Sequence, residues 1–189
     1  EIEILYQTYY ENKSGSENNY SVCFMINQGD NHFLFTGDLE EDGEESLVAN
    51  NTLPRVTLYK AGHHGSNTSS HDALLDVIQP EIVVITCVAG NFEYAKNEVG
   101  NVNIDGTFPT TPTLTRIAKH TSKVYVTTLG ITSQNPDGTY EDIGHTSMNG
   151  DILVLSNRSG VSVTGSNNNT LLKDTTWANT YRSSVSWTK

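Results

Sequence analysis

The sequence is short of basic side chains: 11 Lys and Arg stand against 22 Asp and Glu, giving a formal charge of −11 and a pI near 4.8. That balance argues against a broad cationic surface for nucleic-acid phosphates, which draws on clustered Lys and Arg. An acidic chain can still hold a phosphate through a bound metal, whose own charge dominates the local field. Cysteine is nearly absent, with only Cys23 and Cys87, each inside an apolar, strand-like run. Neither spacing suggests a metal knuckle; both read as small buried hydrophobes, with a disulfide between facing strands as the second reading. No run of 18 apolar residues occurs, so the chain does not span a membrane as given. Glu1 to Tyr9 reads as a strand with no basic segment ahead of an apolar stretch, so no signal peptide is visible in it. The start at Glu1, without an initiator Met, points to a processed protein or a cut-out fragment.

The apolar fraction is also low, at 35%, and neutral polar residues fill the gap: Asn, Ser and Thr make up 59 of the 189 residues. The length suits one domain with one core, polar and rich in strands and loops. Few lysines among so much Asn, Ser and Thr lean towards an extracytoplasmic or secreted bacterial surface protein.

Alternation and β-branched content predict strands over Ile2 to Tyr9, Tyr20 to Asn27 and His32 to Gly37, the last two joined as a hairpin through Gln28-Gly29-Asp30-Asn31. Glu40 to Asn50 reads as a short acidic helix, with Glu41, Glu44 and Glu45 suiting the positive end of its dipole. A strand at Arg55 to Lys60 leads into the Gly/His/Ser/Asn loop Ala61 to Ser70, then a helix at Asp72 to Ile78 stopped before Pro80. Glu81 to Val88 is almost continuously apolar or β-branched, the pattern of a strand covered on both faces. Thr111 reads as the cap of a helix reaching His120, with Pro112 at its first position, ahead of a strand at Lys123 to Thr128. Leu129 to Asn149 has no period and reads as a long loop; Gly150 to Leu155 and Gly160 to Thr164 form a second hairpin. Gly165 to Lys189 is either a linker or an appended element packing through Trp177, Tyr181 and Trp187. The fold class is α/β, or mixed α+β.

Two segments could carry chemistry, and both lie where a strand runs into a polar loop. Phe33-Leu34-Phe35-Thr36-Gly37-Asp38 delivers one carboxylate just after a glycine, and Gly62-His63-His64-Gly65-Ser66 delivers two imidazoles between glycines. Carboxylate oxygen and neutral imidazole nitrogen are ordinary zinc ligands. Asp38 and His63 can meet only if their strands lie close in one sheet and end at the same edge, as a strand–helix–strand connection permits. The plainer readings are a turn-forming or helix-capping Asp and a solvated His pair.

Together with Asn19-Tyr20-Ser21-Val22, Thr68-Ser69, Gln79-Pro80 and Asn91, these segments resemble the metallo-β-lactamase fold, in the branch of the ComEC-type competence-protein hydrolase domain and its stand-alone relatives. The resemblance runs in order from Ile2 to Thr164, which makes 1–165 the C-terminal portion of such a domain and 166–189 a polar tail or appended element. It implies an αββα sandwich of two similar halves with metals, usually zinc, at one edge activating a water for hydrolysis. It makes Asp38 the carboxylate bridging two ions and His63 a ligand of one. His64 would stand beside the metals or the substrate, or exchange roles with His63, and Ser66 and Asn91 would lie in the same surroundings. The branch's Ser-x-Asp-x-Asp-His signature is absent, and Thr107-Phe108-Pro109 stands where the branch often has His-Pro. What remains is the second half of the fold.

A catalytic zinc needs about three protein ligands and an open position. The chain alone is therefore expected to bind metal weakly or not at all, and to be inactive without a missing N-terminal half. On this reading the intact parent is a zinc-dependent hydrolase, phosphodiesterase or nuclease-like, with nucleic acid an open question as substrate. The alternative is a non-catalytic binding or structural domain of a bacterial surface protein, using Trp177 and Trp187. A half-fold completed by a second chain is a third possibility.

Overall fold

The short Gln28-to-Asn31 turn brings two apolar strands together, and the rest of the sheet grows from that hairpin. In the computed structural model, which describes residues 1–92, 95–96 and 102–188, β2 (Cys23–Gln28) and β3 (Asn31–Phe35) pair antiparallel, with β1 (Ile2–Leu5) antiparallel on the outside of β2. β4 (Leu58–Lys60), β5 (Ile82–Ala89) and β6 (Val124–Gln134) then add in parallel, and β7 (Tyr140–Ser147) closes the far edge antiparallel to β6. Strand order in this seven-stranded sheet equals sequence order. Every parallel crossover therefore steps the same way, and the right-handed rule sends each connecting helix to the same face. These helices are α1 (Glu41–Asn50), α2 (Asp72–Ile78) and α3 (Thr111–Ala118). The mixed sheet flanked by helices bears out the α/β expectation.

Strand alternation divides the core in two. Leu34, Tyr59, Val83, Ile85 and Val126 point to the helix face and pack with Leu47, Leu74, Leu75, Ile78, Leu114 and Ile117. The residues between them, Phe33, Leu58, Ile82 and Val84, point to the opposite face. There a separate hairpin, β8 (Ile152–Asn157) and β9 (Gly160–Gly165), covers them with Ile152, Val154, Val161 and Val163. β5 is thus covered on both sides, as its unbroken apolar run predicts. The hairpin does not reach the outermost strand: Ile2 and Ile4 on this second face remain 68% and 62% exposed.

Three expectations need correction. Leu129 to Asn149 is not a loop: β6 continues to Gln134 and pairs with β7 around a turn in which Thr139 N–H donates to Asp137 Oδ1 at 2.9 Å. Most of these residues are exposed, so no apolar alternation marked them as strands. The cap of α3 is Thr110 rather than Thr111; its hydroxyl accepts from Thr113 N–H. The first strand is also shorter than expected, since Thr8–Tyr10 turn into a 3₁₀ helix.

The residues after Gly165 fold back onto the helix-side core. Leu172 is fully buried, Val185 nearly so, and Trp177 on α4 (Thr176–Tyr181) is 7% exposed, while Trp187 packs against the same cluster. Arg182 is 1% exposed and stacks its guanidinium 4.7 Å from the Trp177 ring. It donates to the carbonyls of Thr107 and Pro109 at 2.7 and 3.0 Å. Trp177 is therefore occupied inside the protein rather than presented as a stacking platform.

Cys23 and Cys87 are free thiols, and burial pushes each up to about 12. Ellman's reagent at pH 8 is expected to find less than one reactive thiol in the native chain and two in denaturant. Trp177→Ala, which empties a buried aromatic site, is expected to cost about 3–4 kcal/mol in urea unfolding.

Candidate functional site at the carboxyl edge of the parallel strands

The carboxyl ends of adjacent parallel strands are where α/β sheets collect functional loops. β3 ends at Phe35 beside Lys60 of β4, so the segments that follow emerge side by side. Gly37 takes a left-handed φ of 59°, and a Cβ there would sit 2.9 Å from the Ser21 side chain. Only glycine suits that turn. It leaves Asp38 N–H on Ser21 Oγ at 3.0 Å with the carboxylate outward and partly exposed.

After β4 the chain enters a 3₁₀ turn, Gly62–Gly65, in which His63 and His64 have φ of 44° and 55°. Two successive non-glycine residues in the left-handed region persist only where the surroundings hold them. His63 N–H donates to Gly37 O at 3.0 Å, tying this loop to the Asp38 loop, and Gly62 N–H donates to the buried Tyr59 hydroxyl at 3.0 Å. The two imidazoles part company. His64 Nδ1 meets Thr86 O of β5 at 2.6 Å, and its Nε2 faces Asp38 Oδ1 at 3.7 Å. His63 turns away: its Nδ1 lies 3.1 Å from Thr68 Oγ1 and 3.8 Å from Glu40 Oε1, and its ring meets Phe108 edge-on at 6.2 Å. The structure thus brings Asp38 together with His64 rather than with His63.

Of the other residues singled out, Ser66 is buried within the loop, its Oγ 3.1 Å from Thr68 Oγ1 and its carbonyl accepting from Thr113 Oγ1 at 2.6 Å. Asn91 closes the turn at the end of β5, with its N–H on Val88 O at 3.1 Å. Lys60 is half-buried beside Asp38; burial lowers its ammonium below the ordinary value, opposed by the nearby Asp38. Partial burial works to raise the Glu40 carboxyl, but hydrogen bonds from Asn18, Ser16 and Thr68 and the nearby His63 outweigh it and hold that carboxyl low.

The residues that hold the histidine loop in place were less visible in the sequence. Glu44, which there looks like a helix-dipole residue, is completely buried. Its carboxylate accepts from Ser70 N–H at 2.6 Å, His71 N–H at 2.8 Å and Ser69 Oγ at 3.2 Å, with His71 Nδ1 also at 3.2 Å. From α3, Arg116 donates to the carbonyls of Asn67, Ser69 and Ser70 at 2.8–3.0 Å. One charged group satisfies the donors of this stretch and the other its acceptors. The signal available was position: Glu44 falls on the inward side of α1, one turn before the buried Leu47.

Glu44→Gln swaps one acceptor oxygen for a donor amide against these N–H groups. A loss of about 3 kcal/mol is expected in urea unfolding, from charge-assisted bonds of about 1.5–3 kcal/mol each and stranded buried donors. Glu45→Gln, with its side chain exposed, is expected to change stability by less than about 0.5 kcal/mol.

No protein-family model matches the chain. Among curated proteins, 71 residues are 32% identical to Recombination protein 2 of Haemophilus influenzae, covering 38% of this chain and 9% of that protein. A stretch of 78 residues is 32% identical to ComE operon protein 3 of Bacillus subtilis, covering 40% and 10%. A stretch of 77 residues is 40% identical to Competence protein ComA of Neisseria gonorrhoeae, covering 39% and 11%. The chain spans about a tenth of the length of these relatives, and its similarity to them is confined to the matched stretches.

Proposed function

We propose that this chain carries one half of a metal-dependent hydrolase site of the metallo-β-lactamase type, acting on a phosphodiester-like substrate when a further segment completes it. The observation that supports this most is the pairing of His64 Nε2 with Asp38 Oδ1 at 3.7 Å, while a backbone carbonyl holds the other ring nitrogen of His64. A carbonyl at Nδ1 fixes the tautomer that leaves Nε2 free as a ligand, the usual support of a zinc-bound imidazole. The donor set, one carboxylate and one imidazole on a partly exposed edge, fits zinc but falls one ligand short of a catalytic site. On this geometry Asp38 and His64 are the ligand pair, and His63, held by Thr68 and Glu40, shapes the rim.

Zinc at this edge would supply Lewis acidity and a bound water of lowered pKa. The remaining work falls to the chain's own groups. The Gly37–His63 bond keeps the two loops in register, and Thr86 O orients the His64 ring. Lys60 places a cation beside Asp38, suited to an anionic substrate oxygen. The missing ligands are assigned to a preceding half-domain. The exposed Ile2 and Ile4 on the sheet face opposite the helices are the surface that such a half would cover. With few basic residues and a charge of −11, this chain contributes little attraction for a polyanion of its own.

The test is to express the chain joined to the segment that precedes it in its reading frame and measure zinc by elemental analysis. At least two equivalents are expected, with Asp38→Ala losing at least one and lowering phosphodiesterase kcat/KM by at least a hundredfold. An Asp38→Ala variant that keeps all the zinc of wild type and is as active would sink the reading. In the same protein His64→Asn is expected to weaken zinc binding at least tenfold more than His63→Asn; the reverse order would reassign the ligand.

A further inference from the structure

Away from the strand edge, a second group of ligand-type side chains lies between α2 and the end of α3. Asp72 and Asp76 are four residues apart and so share one face of α2. His120 follows α3 by two residues and comes up against them. One ligand atom from each of the three lies within 4.8 Å of the other two. The contact between His120 Nε2 and Asp76 Oδ1 is already 3.3 Å, close to the roughly 3.4 Å that separates ligand atoms around a tetrahedral ion with bonds of about 2.1 Å.

Two of these residues stand out for a separate reason. Asp72 Oδ1 and His120 Nε2 are, among the described residues, the buried side-chain polar atoms that make no hydrogen bond. The His120 side chain is only 13% exposed, and Asp76, although near, does not approach Nε2 with hydrogen-bond alignment. Leaving such groups unpaired is costly, and native structures seldom do so without a water or ion to satisfy them. The other oxygen of Asp72 already attracts a cation, with Lys119 Nζ at 2.7 Å. Oδ1 keeps no hydrogen-bond partner of its own.

We propose that Asp72, Asp76 and His120 bind a divalent transition-metal cation of the zinc class, distinct from the Asp38–His64 edge and independent of any hydrolytic role. One imidazole and two carboxylates suit zinc, cobalt or nickel; calcium would want six to eight oxygens. Asp76, 68% exposed, opens the site to solvent and leaves room for water in the remaining positions. The ion would tie the first residue of α2 to the end of α3. α2 begins next to His71, held by Glu44, and α3 carries Arg116, so the clip would brace both walls of the histidine loop.

The experiment is calorimetric titration of the 189-residue chain with zinc alone, repeated with cobalt, beside thermal melts with and without the ion. One equivalent is expected, retained in Asp38→Asn and weakened at least tenfold in Asp76→Asn and in His120→Gln. Zinc should raise the melting temperature of wild type and not of those two variants. Should His120→Gln fail to fold, Asp76→Asn, altered at an exposed side chain, decides the matter. The proposal is overturned if millimolar zinc neither binds nor shifts the melt. It is equally overturned if Asp76→Asn binds as wild type does, or if Asp38→Asn is the change that abolishes binding.

Discussion

The buried carboxylate of Glu44 is the constraint on which the candidate site rests. A charge with no exposure to water is tolerated only where hydrogen bonds replace its hydration. Here they come from Ser69, Ser70 and His71, the residues that close the loop begun by Gly62-His63-His64. Arg116 answers from the other helix by taking the carbonyls of the same stretch. The loop is thus gripped through its backbone polar groups, and the histidines can be held in left-handed conformations that isolated residues would leave. Tyr59 extends the grip downward, its hydroxyl meeting Thr36, Ser70 and Gly62 N–H beneath the loop.

The sheet supplies the second requirement, that two loops meet at all. Because β3 and β4 are parallel neighbours with a crossover between them, residues 25 positions apart in sequence end at one edge. The carboxyl-edge placement leaves the facing side chains of Asp38 and His64 open to solvent. On the sheet face away from the helices, one hairpin covers the centre and leaves Ile2 and Ile4 in water.

Legibility in the sequence followed burial. β5 was readable because both of its faces are covered, so nearly every side chain had to be apolar. The β2–β3 and β8–β9 hairpins were readable from their turns and alternation. β6 and β7 beyond Leu129 were not, since their pairing is carried by backbone hydrogen bonds that place no demand on exposed side chains. Thr110 and Thr111 are chemically equivalent as caps, and only the entry direction into α3 separates them. Glu44 was hidden for a related reason: an acid early in a helix has a ready explanation in the dipole, and its burial depends on a loop 25 residues further on.

By itself the sequence determined the two glycine-bounded strand ends, the carboxylate and imidazoles they carry and the acidic, lysine-poor composition around them, because these are properties of residue identity and local spacing. Only the tertiary structure decided that His64 rather than His63 faces Asp38. That choice follows from left-handed backbone at both residues and from the Thr86 carbonyl on a strand the pair does not belong to. Tertiary packing likewise turned the polar tail inward, since Arg182 reaches carbonyls 73 and 75 residues earlier in the chain. Adjacent side chains in one loop differ in nothing that local chemistry can rank; the contacts that separate them come from distant segments.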